Sequence, residues 1–325
     1  MPDATLTTGL VAHLDLSDRR GLAEALDDLV EQAWEPGWAP YALRRLVGLC
    51  ARLRNDNDIT GWAEACALLR THPVQRLMLE DPLVAESQGA YGPLAATGPC
   101  ATVLDLLLEH DSAAGLVGRL SRAGRDLFTA TTELGYPAAL RAQTRFLARV
   151  VDGMAERRPQ LEVLTLGAHH LREAGLVTAG HAVARWVAQE SEAETLGRLR
   201  RGLPPGLPVR GLRCGLAYFV RRPYLRGCFD LIMVPEMPAT PTPEALVDAA
   251  FAALKPGGVL LVGSAAEAPI EAAWMEAYLG WQPRWREAGE MEALLAVPPA
   301  RDLVRSQVFH SLDARRVYAR FERRG

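Results

Sequence analysis

Phe229-Asp230-Leu231-Ile232-Met233-Val234, followed one helix later by Leu254-Lys255-Pro256-Gly257-Gly258-Val259-Leu260, is the stretch that decides the fold of this chain. The first six residues form a short, almost wholly apolar run, as a strand buried on both faces of a parallel sheet requires. Thr242-Pro243-Glu244 then supplies a cap, a proline at the first helical position and an acid in the first turn. That helix ends at Leu254-Lys255, a turn is expected at Pro256-Gly257-Gly258, and 259–262 is apolar again. Strand, helix, strand in this order makes a βαβ unit.

The same pattern extends upstream. Leu161-Glu162-Val163-Leu164-Thr165-Leu166 reads as a buried strand ending at Gly167, and a helix is expected after it. Residues 184–188, closed by Glu190, give a second strand, and 208–212 a third. Alternating strands and helices imply a parallel sheet covered on both faces, which is a Rossmann-like α/β domain. Ligands of such sheets sit beyond the carboxyl ends of the strands, near the point where strand order reverses. The residues to inspect are therefore Gly167, Ala168, His169 and His170 after the first strand, Glu190 and Ser191 after the second, and Pro235 and Glu236 after the fourth.

Before Glu156-Arg157-Arg158-Pro159 the texture is helical. Leu22, Leu26, Leu29 and Val30 follow a possible Ser17 cap, and Pro40 opens a stretch with Leu43, Leu46, Val47, Cys50 and Leu53. Further helical spacing covers 62–71, 102–108, 113–127 and 138–154, and no alternating strand precedes Leu161. Two domains are expected, an all-helical one over 1–155 and a Rossmann-like one over 156–325.

Composition bounds the partners. The formal charge of −3 gives no electrostatic case for nucleic acid or an anionic membrane, and no apolar stretch approaches a membrane span. Lys255 is the only lysine. The five cysteines are scattered, with no zinc-ligand spacing, which suits reduced thiols in a cytoplasmic protein. Adjacent His169 and His170 on one turn point in different directions and lack a third ligand, so no metal is expected. The tryptophans Trp274, Trp281 and Trp285 are expected to pack a late helix or hairpin against the sheet.

The paired motifs around Phe229 and Lys255 resemble the fourth- and fifth-strand region of class I S-adenosylmethionine-dependent methyltransferases. Gly167-Ala168-His169-His170-Leu171-Arg172-Glu173-Ala174 is similar to the Ala-Cys-Gly-His-Leu-Arg-Glu-Ala run of a bacterial branch of the 3-hydroxypalmitic acid methyl ester synthase type. Two further stretches fit that branch: Trp274 to Trp281 with Glu290-Met291, and His72-Pro73 with Glu80-Asp81-Pro82. The resemblance implies S-adenosylmethionine as cofactor, held by Gly167, Ala168, His169, Glu190, Ser191, Pro235 and Glu236. Glu190 would accept the ribose hydroxyls, although it equally suits the first turn of a helix. The acceptor would be a small, apolar acid near Tyr91, Arg141 and Arg145, with His169 and Tyr91 as candidate catalytic groups.

The motif also departs from that family. Thr165 stands where the first strand carries an acid, and His169 stands where a glycine lets the backbone approach the cofactor. The loop Gln88-Gly89-Ala90-Tyr91-Gly92-Pro93 is shortened, and Gly280 replaces an acid. These changes leave a second function open: a repurposed relative serving as a partner subunit, a homodimer component, a binder of another ligand, or a non-methylating user of S-adenosylmethionine.

Overall fold

The apolar runs of the second half form seven strands: β1 (Leu161–Leu166), β2 (Val183–Glu190), β3 (Val209–Arg213), β4 (Phe229–Val234), β5 (Leu254–Ala265), β6 (Leu303–His310) and β7 (Arg316–Arg323). The computed structural model describes residues 19–33, 35, 37–91, 101–221, 226–238 and 242–325. The strands lie in the order β3-β2-β1-β4-β5-β7-β6. The first five run parallel, and β7 is antiparallel to both β5 and β6. This is the doubly wound Rossmann-like order with one antiparallel strand slipped in before the last. Order reverses between β1 and β4, so the crevice lies beyond Leu166 and Val234.

Alternate side chains of each strand serve opposite faces. Leu161 and Val163 pack with Trp186, Leu231 and the helix Gly135–Ala155 through Leu147 and Val151. Leu164 and Leu166 pack with Ile232, Leu260 and the helix Pro243–Ala253 through Leu246 and Phe251.

Three features differ from the sequence reading. The turn at Pro256-Gly257-Gly258 is taken up inside β5 as a bulge: Phe229 pairs with Leu254, and Leu231 already pairs with Val259. Gly257, at φ +72°, makes the bend that a side chain would resist. The helix expected after β1 is not formed. Two short 3₁₀ turns, Arg172–Leu176 and Gly180–Ala182, bridge β1 to β2 instead. Gly175 and Gly180 weaken a helix there, and Asp152 holds the bridge by accepting the amides of Thr178 (2.9 Å) and Ala179 (2.8 Å). Strands β6 and β7 were not foreseen, because their arginine-rich alternation lacks the continuous apolar run of a buried strand.

The chain divides into two compact units, Met1–Ala138 with Pro269–Gln282, and Ala139–Ala268 with Pro283–Gly325. The division falls at 138/139 where the sequence suggested 155/156, because the helix Gly135–Ala155 buries Leu147 and Val151 on the sheet. Trp274 and Trp281 belong to the helical unit rather than to the sheet, Trp281 standing edge-on to Tyr136 at 5.0 Å. In that unit the helices Arg19–Ala33, Ala39–Asp56 and Ile59–Thr71 follow the expected apolar spacing. The stretch read as one helix over 113–127 breaks into Ala114–Val117 and Arg122–Thr132, the latter capped by Ser121, whose Oγ accepts the Gly124 amide at 2.9 Å. Ser17 lies outside the described residues.

Candidate functional site

Beyond β1 the backbone turns through the left-handed region three times, at Gly167 (φ +64°), His169 (φ +45°) and Leu171 (φ +51°). Glycine adopts this freely, whereas each side-chain-bearing residue there costs on the order of 1 kcal/mol. The cost is borne because successive amides of the loop meet acceptors at the end of β2. Gly167 N–H donates to Gln189 Oε1 (2.9 Å), Ala168 N–H to the Gln189 carbonyl (2.9 Å) and His169 N–H to Glu190 Oε2 (3.1 Å). Gln189 also donates through Nε2 to the Cys214 carbonyl after β3. This fully buried glutamine ties three strand ends together, and sequence reasoning missed it. An amide amid the otherwise buried end of a strand was the available signal.

Glu190 reaches its expected place at the carboxyl end of β2. Its Oε1 accepts the Ser191 amide (2.6 Å) and hydroxyl (3.1 Å), so Ser191 orients the carboxylate. Oε2 accepts one amide and keeps acceptor capacity for a ligand. The His169 imidazole stands beside it, Nδ1 lying 3.8 Å from Oε2, with 49% of the side chain exposed. Burial lowers the His169 pKa, Glu190 raises it, His170 lowers it, and Glu236 and Glu192 raise it, with a net shift downward. His170, the next residue, is buried.

Thr165 serves the core. It is fully buried, and its Oγ1 accepts the indole N–H of Trp186 at 3.0 Å. An acid here would remove that fit and place a charge under the sheet.

After β4 the chain is clamped. The Pro235 carbonyl accepts from Gln143 Nε2 and from Arg316 Nη2 (3.1 Å), and Arg316 also pairs with Glu236 Oε2 at 2.5 Å. Glu236 Oε1 accepts the Ala265 amide (3.2 Å) and the Ser264 hydroxyl (3.3 Å). Buried Arg286 holds the next two carbonyls, of Met237 (2.8 Å) and Pro238 (2.7 Å). Pro235 and Glu236 are thus in the crevice as anticipated, but fixed by two arginines the sequence did not single out.

The expected acceptor residues fare differently. Gln143, not Arg141 or Arg145, is the residue of the helix Gly135–Ala155 that reaches the strand ends. Two positions along a helix point to nearly opposite sides, so Arg141 and Arg145 face away from the Gln143 contact. Arg145 is exposed and Arg141 half-buried. Tyr91 ends the helix Pro82–Tyr91 of the helical unit, and its side chain lies outside the described residues. Among the described residues no group of three or more His, Cys, Asp or Glu side chains could hold a metal ion. No described helix is long and apolar enough to cross a membrane.

The loop leaves room beside its backbone. A Cβ built on Gly167 meets nothing within 4 Å, so the space beside the backbone is open, and Glu190 offers an acceptor at the edge of the switch point. The His169 imidazole stands beside that acceptor.

No protein-family model matches the chain, and no curated protein sequence does. Among solved structures it is similar to a possible exported protein from Bordetella parapertussis, at 14% identity over 93% of this chain and 97% of that one, with a TM-score of 0.54. A methyltransferase candidate from Thermobifida fusca YX aligns at 18% identity over 75% of this chain and 98% of the other, TM-score 0.48. A TehB-like S-adenosylmethionine-dependent methyltransferase from Corynebacterium glutamicum aligns at 15% over 55% and 86%, TM-score 0.38. Likeness at these identities speaks to fold alone. The fold is a Rossmann-like sheet with a helical unit before it.

Proposed function

We propose that this protein is an S-adenosylmethionine-dependent methyltransferase acting on a carboxylate or hydroxyl of a small, apolar acid in the cytoplasm. The observation that carries the reading is the junction of β1 and β2, where the Glu190 carboxylate accepts the His169 amide and retains capacity at the topological switch point. The resemblance of 167–174 to the methyltransferase loop gives the ligand class.

When bound, S-adenosylmethionine supplies a methyl group whose bond to sulfur breaks as a bond to the acceptor oxygen forms. Glu190 would take the ribose hydroxyls, and Gly167 and Ala168 would line the loop side of the cofactor. Pro235 and Glu236 would line the β4 side, held still by Arg316 and Gln143. Positioning does most of the work in such a transfer, because fixing two reactants replaces a bimolecular encounter. A carboxylate acceptor needs no base. A hydroxyl acceptor must lose a proton, and the lowered pKa leaves His169 neutral and able to take it at neutral pH.

Calorimetric titration of the purified protein with S-adenosylmethionine and with S-adenosylhomocysteine tests the reading. Saturable binding of both is expected, and heat indistinguishable from dilution for both would overturn it.

A further inference from the structure

Within the helical unit, the helix Ala272–Trp274 runs into a single π-turn, Met275–Leu279, and stops at Gly280 with φ +63°. Such a turn is wider than an α-turn, disturbs the regular carbonyl ladder and recurs at functional positions. Two of its carbonyls are taken by side chains from earlier helices. Arg70 Nε donates to the Ala277 carbonyl (3.0 Å) and Gln88 Nε2 to that of Tyr278 (3.2 Å). Gln88 is itself fixed, accepting from Gln75 at 2.6 Å. Beside these contacts lies a cavity of about 160 Å³, open to solvent and lined by Arg70, Ser87, Gln88, Ala277, Leu279 and Gly280 among others.

Arg70 gives the cavity its chemistry. The residue is half-buried, and its Nε bond holds the guanidinium plane. Nη1 and Nη2 have no partner among the described residues, and the nearby acid Glu276 pairs with Arg54 instead, at 3.6 Å. A guanidinium anchored through Nε presents its remaining N–H groups as a planar fork, which matches the two oxygens of a carboxylate. Among the described residues Arg70 is the one charged side chain lining the cavity, and Ala277 and Leu279 give it an apolar wall. One cation with an apolar wall suits a monoanion bearing a hydrocarbon part.

We propose that this cavity binds a small organic carboxylate, its oxygens on the terminal nitrogens of Arg70, the Ser87 hydroxyl adding a hydrogen bond, and its tail against Ala277 and Leu279. The site stands on the helical unit alone and does not depend on the cofactor reading above.

Calorimetry on the full chain with sodium hexanoate tests it, with hexanol and inorganic phosphate as comparison ligands. Hexanoate is expected to bind saturably, hexanol not at all, and phosphate at least about tenfold more weakly, since it finds no apolar complement. Arg70→Gln should weaken hexanoate by about 10- to 100-fold, the worth of a charge-assisted hydrogen bond. That variant also loses the Ala277 contact, so Ser87→Trp is the cleaner companion: it fills the cavity, leaves Arg70 in place and should abolish binding. Absence of hexanoate binding, hexanol binding as tightly, or unchanged affinity in Ser87→Trp would each overturn the site. Phosphate binding as tightly as hexanoate would overturn the carboxylate assignment. Titration with S-adenosylmethionine reads the other proposal separately.

Discussion

The two ends of the parallel sheet are built on opposite plans. At the amino ends, Asp230 of β4 is surrounded: Arg158 bonds one oxygen (3.0 Å), and Lys255 (2.9 Å) and the Glu162 amide (3.0 Å) bond the other. Lys255 also pairs with Glu162 (2.7 Å), which pairs in turn with Arg185 (3.0 Å), so four elements are laced by complementary charge. At the carboxyl ends the backbone is strained at His169 and Leu171, and Glu190 keeps acceptor capacity. The amino end is laced by ion pairs between strands, whereas the carboxyl end is tied mostly by side chains on backbone groups and leaves one Glu190 oxygen with spare acceptor capacity, at some local backbone cost. Strain and spare acceptor capacity at the switch point are the features on which the proposed ligand site rests.

Breaking the amino end should have the largest effect. Asp230→Ala leaves Lys255 and Arg158 without their shared acceptor and should cost about 3 kcal/mol, the low end for a buried pair because the cations are a third exposed. Urea unfolding reads this directly, and a loss under about 1 kcal/mol would mean the network is ornamental. Burial works to raise the Asp230 pKa, but hydrogen bonds from Lys255, the Glu162 amide and Arg158 outweigh it and hold it down. A depressed carboxyl stabilises the fold above its usual 3.8 and loses that contribution as pH falls through the lower folded value. The deficit of the variant should therefore close in strong acid.

At the carboxyl end the order of effects reverses, with binding moving more than stability. Glu190→Gln should weaken S-adenosylmethionine about tenfold or more, the loss of one charged acceptor, while changing stability by less than about 1 kcal/mol. His169→Gly should tighten the cofactor and raise stability by up to about 1 kcal/mol, since glycine accepts the φ of +45° that histidine resists. A weaker cofactor in His169→Gly would instead make the imidazole a ligand contact.

A pH-dependent effect lies in the helical unit. Asp81 is buried, accepting from Thr131 Oγ1 (2.5 Å) and the Leu83 amide (2.9 Å), and burial pushes its carboxyl up from 3.8 to about 6. The folded state then holds more protons than the unfolded one across that window. Stability falls as pH rises from 3.8 to about 6, by at most about 1.4 kcal/mol per pH unit. Asp81→Asn should flatten this slope in urea unfolding at pH 4.5, 5.5 and 7. An unchanged slope would show that Asp81 does not cause it.

Much of this sheet is visible in the chain because its signals are local. Leu161–Leu166 and Phe229–Val234 are continuous apolar runs, and both form strands with the bounds the pattern suggests. Glu190 could be placed at a strand end by the same reasoning. Gln143, Gln189, Arg286 and Arg316 could not. Each of them bonds distant backbone carbonyls or amides, 22 residues away for Gln189 with Gly167 and 92 for Gln143 with Pro235, and any residue type offers those groups. Thr165 shows the same limit, because its reason is an indole 21 positions on.

The sequence by itself determined a Rossmann-like sheet after a helical region, with 167–170, Glu190 and Glu236 at the carboxyl ends of its strands, since apolar periodicity and turn residues act over a few neighbours. The tertiary structure decided the rest. It gave the helix Gly135–Ala155 to the sheet and returned Pro269–Gln282 to the helical unit. It added β7 antiparallel beside β5 and set a strained imidazole against the Glu190 carboxylate. Those outcomes depend on which distant surfaces bury each other, a quantity no local pattern carries.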